Sequence, residues 1–233
     1  MRTLLVCALP LPLALVLAGC GEPDREADPE PVATPTPAEP RTLIPADLDI
    51  STLGAKIEGP QGPEPEAPLM LGGAEVGRIV SYVACPRGAE ACVPDEMPEG
   101  TVYTFVHQIT LDGVSSAADD TGPEVVEAPP TLFRTTERAH GFNGSIGYAR
   151  SQAMAAFGSE DAISVTFDDG RLIWRVTGAP DWRQNATVTF WWQSTLPPAG
   201  PADAFLLEVM GNQIAAKGPF PAAEKPAGEP AAN

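Results

Sequence analysis

Ile163-Ser164-Val165-Thr166-Phe167-Asp168-Asp169-Gly170-Arg171-Leu172-Ile173-Trp174-Arg175-Val176 is a β-hairpin legible in its residue order, and it decides the fold class. Asp-Gly between two alternating runs is a strong short-range signal for a two-residue turn, because both central positions then need positive φ. Folding the chain at Asp169-Gly170 sets Phe167 against Leu172, Val165 against Trp174 and Ile163 against Val176. Ser164, Thr166, Asp168, Arg171, Ile173 and Arg175 then share the opposite face, so one face is apolar and the register is specified by burial.

The same logic extends in both directions. A turn at Gly211-Asn212 pairs Val209 with Ile214 and Leu207 with Ala216, with Phe205 on the same face. Residues 185–194 place Val188, Phe190 and Trp192 on one face and Thr187, Thr189, Trp191 and Gln193 on the other. Residues 76–84 and 102–111 also read as strands bounded by Gly and Pro. One helix is expected from Ile146, Ala149, Ala153, Met154 and Phe157, which fall on one helical stripe. Asn143 or Ser145 would cap its start and Gly158 would follow its end. The fold class is therefore mainly β: an antiparallel sandwich or small barrel with one short helix.

Ahead of this domain the chain opens with an apolar run, Leu4 to Leu17, preceded by Arg2 and closed by Leu17-Ala18-Gly19-Cys20. The run has the length of a signal-peptide core and falls short of a membrane span. These four residues resemble the lipobox of the bacterial lipoprotein class. The resemblance covers the first twenty residues only. It implies that residues 1–19 are a signal peptide and that Cys20 becomes an N-terminus carrying a diacylglycerol and a further acyl chain, palmitate among the usual ones. It also implies anchoring in the bilayer through acylated Cys20. Gly21 after the cysteine resembles the pattern for transfer to the outer membrane, so the expected location is the bacterial cell envelope, facing the periplasm or the surface.

Residues 20–41 are rich in Pro, Glu, Ala and Asp and read as a tether. Leu43, Ile44, Leu48, Ile50, Leu53 and Ile57 offer an apolar segment to dock on the body, before a second loose stretch from Gly59 to Pro68. Residues 42–220 are taken as a single domain and 221–233 as a frayed tail. The net charge is −17 for the whole chain. Cleavage after Gly19 removes one charged residue, Arg2, and leaves −18, which argues against a nucleic-acid partner. Of the four cysteines, Cys7 leaves with the signal and Cys20 is the lipid site, so Cys85 and Cys92 form an even pair in an exported domain. A disulfide is expected, with Pro86-Arg87-Gly88 turning the chain between them.

Chemistry-bearing motifs are sparse. His107 alternates with Tyr103, Phe105, Ile109 and Leu111 on the apolar face and reads as a core histidine hydrogen-bonded to backbone, with a catalytic base as the rival. His140 sits in a loop. Ser145 in Asn143-Gly144-Ser145-Ile146-Gly147 lacks the first glycine of a nucleophile elbow. No phosphate-cradling loop or zinc-protease motif is present, and neither a metal nor a cofactor is expected. Asp119, Asp120 and Glu124, or Asp95, Glu96 and Glu99, offer oxygens to calcium without the spacing that would specify it. Trp182 and Trp191, assigned to a loop and to the more polar strand face, form a candidate contact patch for an envelope protein or glycan. The expected function is a non-enzymatic binding or assembly module. A periplasmic hydrolase acting on cell-wall or exported substrate, with His107 as base, is the alternative.

Overall fold

The computed structural model describes residues 39–58, 66–112, 131–178, 182–209 and 211–223. Among them are thirteen strands and one α-helix, arranged as two facing sheets. The first sheet orders β1 (Arg41–Leu43), β9 (Ile163–Asp168), β10 (Arg171–Val176), β7 (Leu132–Thr135), β12 (Pro198–Val209) and β13 (Asn212–Pro221), all antiparallel. The second orders β2 (Ala46–Asp47), β8 (Phe142–Tyr148), β11 (Thr187–Ser194), β6 (Tyr103–Leu111), β5 (Ala74–Pro86) and β3 (Leu53–Lys56). A further strand, β4 (Ala67–Leu71), pairs with β5 through a Gly72-Gly73 turn. The two ends of the predicted domain extend slightly: Arg41 pairs with Phe167, and Pro221 with Pro198.

The β9–β10 hairpin adopts the register that its Asp-Gly turn dictates: Phe167 faces Leu172, Val165 faces Trp174 and Ile163 faces Val176. Asp169 and Gly170 both have positive φ, at 44° and 80°. In the β12–β13 hairpin the turn falls elsewhere. Val209 faces Asn212, Leu207 faces Ile214 and Phe205 faces Ala216, a register two positions from the expected one. An even shift leaves every side chain on its expected face, so Phe205, Leu207, Val209, Ile214 and Ala216 all remain buried while Asn212 is exposed. The loose stretch expected through Pro68 ends sooner, because Ala67 and Pro68 already belong to β4.

The interior is aromatic. Phe133, Trp174 and Phe205 of the first sheet meet His107, Phe190 and Trp192 of the second, with Phe133 and Phe190 centroids 5.0 Å apart. Cys85 and Cys92 are joined by a disulfide at the end of β5, with Cα atoms 5.6 Å apart. Beside it Ile57 bridges to Cys92 and is buried, so the segment after β3 docks there.

The helix α1 is Arg150–Phe157, shorter than the periodicity predicts. Ile146 lies in β8, and neither Asn143 nor Ser145 is the cap: the N-cap position is Ala149, which supplies no side-chain bond. Strand pairing overrides the helical stripe here. Gly147 lies so close to Ala46 that a Cβ would come within 1.8 Å of the Ala46 carbonyl oxygen, and this approach allows β2 to pair with β8. Gly158 does close the helix in the left-handed conformation, at φ 81°.

Candidate functional site

The outer face of the second sheet, turned away from the first, carries an unusual cover. Strands β2 and β3 are its two edges, yet they follow one another in sequence and are joined by residues 48–52. Five strand spacings on a flat sheet measure ~24 Å. An extended chain from Asp47 to Leu53 reaches only ~20 Å. The sheet must therefore curl toward this joining strap, which crosses its concave side. Leu48 from the strap and Leu53 at the start of β3 rest on a small second core of Tyr82, Ala84, Val106 and Trp191. Ile44 and Ile50, also expected to dock, stay exposed.

Cross-strand registers set the floor of this site row by row. Trp191 lies between Gly147 and Val106, and Val106 is followed by Tyr82. Thr189 lies beside Gln108, which is followed by Val80. Most polar side chains on this face bond to one another: Thr110 with Thr187 at 2.7 Å, Gln193 to Thr104 at 3.2 Å and Asn143 to Gln193 at 3.1 Å. Among the described residues, two buried side-chain atoms have no partner, Thr189 Oγ1 and Trp191 Nε1. At the edge, the Lys56 ammonium lies 3.8 Å from the centroid of the Tyr82 ring. Burial raises the Tyr82 phenol above its ordinary range.

Trp191 thus occupies the strand face that alternation assigns to it but is not exposed there. The strap covers it to 7% exposure. Trp182 is also buried, inside the main core, where it meets Phe157 edge-on at 5.2 Å and donates its Nε1–H to the Ala186 carbonyl. The proposed pair is therefore no contact patch. The two rings belong to two different cores, and both are withdrawn from solvent. Sequence alternation separates the faces of a strand but carries no information about what crosses over each face.

His107 is wholly buried among Phe205, Phe133 and Trp192, with the Phe205 centroid 4.3 Å away. Its partners are side chains rather than the expected backbone. Trp192 Nε1–H donates to Nε2 at 3.3 Å, and Nδ1 lies 2.9 Å from Ser81 Oγ. An indole N–H only donates, so Nε2 must be unprotonated and Nδ1–H must donate to Ser81. Burial without a charged partner pushes the imidazole down to about 3. A ring held neutral in a dry core reaches no substrate, so the geometry lends nothing to His107 as a catalytic base. His140 lies at a turn, where its carbonyl accepts from Ser194 Oγ.

Ser145 is not a helix cap: its N–H donates to Asn143 Oδ1 in a local turn of β8. Asp95 and Glu96 lie in a single helical turn, Pro94–Glu96. Among the described residues no three His, Cys, Asp or Glu side chains gather as metal ligands. Asp119, Asp120, Glu124 and the lipobox with Cys20 lie outside the described residues. Leu48 and Leu53 dock as the apolar segment predicts; sequence reasoning missed Asp47 and Lys56, whose roles arise only when the strap crosses the sheet. The fold and site together define a disulfide-bearing β-sandwich with one curled, strap-covered sheet. Comparison with protein families, with curated proteins and with solved structures finds no match.

Proposed function

We propose that this chain is a bacterial envelope lipoprotein, anchored in the bilayer through acylated Cys20, whose β domain is a non-enzymatic binding or assembly module. The observation that carries the reading is the export signal ending in Leu17-Ala18-Gly19-Cys20. The Cys85–Cys92 disulfide supports it from the folded domain, since such bonds persist in oxidising compartments. Gly21 favours the outer membrane by resemblance to known sorting signals. The strongly acidic surface favours envelope protein or glycan over nucleic acid as a partner. The hydrolase alternative rested on His107, whose buried, doubly hydrogen-bonded ring gives it no support.

Fractionation of cells carrying Cys20→Ser tests the anchor. Wild-type protein partitions with membranes and the variant with the soluble exported fraction. Equal membrane association of both, with residues 1–19 removed from each, would overturn the lipid anchor. Crosslinking of the wild-type chain in intact cells then tests the second half of the reading: recurring capture of one envelope neighbour is expected, and its absence at saturating crosslinker counts against an assembly role.

A further inference from the structure

The two unpartnered polar atoms belong to neighbouring side chains on one sheet face. Thr189 and Trp191 are two residues apart on β11, so both side chains project from the same face, the one beneath the strap. Thr189 is 1% and Trp191 7% exposed. The Thr189 backbone bonds elsewhere, its N–H donating to Gln152 Oε1 and its carbonyl accepting from the Ala149 N–H. Orphaned buried donors are costly and therefore scarce in folded proteins. Two on one face, where Thr110, Thr187, Thr104, Gln193 and Asn143 bond to one another, mark a place where an outside acceptor fits.

The cover above them is slight. Leu48 and Leu53 are half-buried, Asp49 to Thr52 are exposed, and β2 contributes two paired residues. Below lie the apolar Val106 and Tyr82, and at the rim stands the Lys56 ammonium. An indole N–H donates only, and a hydroxyl donates or accepts. The complementary ligand carries an oxygen acceptor on an apolar body.

We infer that the concave face beneath residues 48–53 is a binding site for an apolar chain bearing a carbonyl oxygen. Trp191 Nε1 and Thr189 Oγ1 are the groups offered to its polar end, and the chain takes the place of Leu48 on Val106 and Tyr82. Such an oxygen comes from a free carboxylate or from an ester. Lys56 at the rim favours the carboxylate by charge. The inference rests on the fold and is independent of the lipid anchor.

Calorimetric titration of the full folded chain with decanoate and, separately, with methyl decanoate tests it. Saturable one-to-one binding is expected, tightened in Leu48→Ala, where the cover is thinned. Trp191→Phe and Thr189→Val should each weaken binding about fivefold to tenfold, the size of one hydrogen bond. Both substitutions remove an orphan donor, so the unliganded variants should melt no lower than wild type, and Thr189→Val keeps the test valid if Trp191→Phe misfolds. Lys56→Gln should weaken decanoate alone. Equal loss for the ester would assign Lys56 to packing and the site to neutral carbonyls, still within the inference. No saturable binding by either wild type or Leu48→Ala, or binding indifferent to both Trp191→Phe and Thr189→Val, would overturn it.

Discussion

Asp47 caps a helix that begins 103 positions further along the chain: its Oδ1 accepts the backbone N–H of Arg150 at 2.9 Å. Helix α1 has no side-chain cap of its own, so an orphan donor of its first turn is satisfied by the strand that starts the strap. Arg150 answers by donating from its guanidinium to the Pro45 carbonyl and pairing with Asp161. Strap and helix are thereby tied at one point.

Asp47→Ala should cost about 1 kcal/mol, the usual worth of a cap. Because the same carboxylate fixes β2, limited proteolysis of this variant should cut within residues 48–52 faster than in wild type. Unchanged denaturation midpoints and cleavage rates would show that the strap is held by other contacts.

Gly147→Ala is expected to do more damage from the other side of the same junction. Its Cβ would meet the Ala46 carbonyl oxygen at 1.8 Å, so β2 must leave β8 or the sheet must shift. A loss of at least ~1 to 3 kcal/mol is expected, in the range of overpacked sites. The accompanying sign is exposure of Trp191, read as a red shift and easier quenching of its fluorescence.

His107 gives the domain an acid limit. Above about pH 6.5 the ring is neutral in the folded and unfolded chain alike and contributes no slope. As pH falls below that value the unfolded ring takes up a proton, while the folded ring refuses it down to about 3. Stability therefore declines with falling pH across this window, by up to about 1.4 kcal/mol per pH unit from this group. Urea midpoints measured across the window should fall more steeply for wild type than for His107→Gln, which retains an acceptor for Trp192. Parallel curves would contradict the assignment of a buried neutral ring.

Replacing both Cys85 and Cys92 by Ser should lower stability by about 2 to 3 kcal/mol, the loop-closure value for so short a bridge. Reduction of the wild type should match the double variant. If reduction leaves the melting point unchanged, the pairing of Ile57 beside Cys92 holds this corner without the bond.

Local chemistry explains which elements were legible in the sequence. Asp169-Gly170 meets the positive φ demand of its turn within two residues, and alternation on either side places Trp174 and Val165 in the core. His107 and Trp192 were placed on the buried face for the same reason. The helix start was not legible, because Ile146 pairs with Trp192 of β11 and its neighbour Gly147 with Ala46 of β2, partners far away in the sequence. Trp191 illustrates the same limit at the site. Its face follows from its position in the strand, but its burial follows from Leu48 and Leu53, which alternation within β11 cannot reveal.

Intact-protein mass spectrometry of the membrane-extracted chain decides whether Cys20 carries the lipid anchor. The expected product is a polypeptide that begins at Cys20, carries diacylglycerol and acyl mass on that residue, and is two hydrogen atoms lighter for the Cys85–Cys92 bond. A chain recovered without acyl mass, or one still retaining residues 1–19, would contradict it.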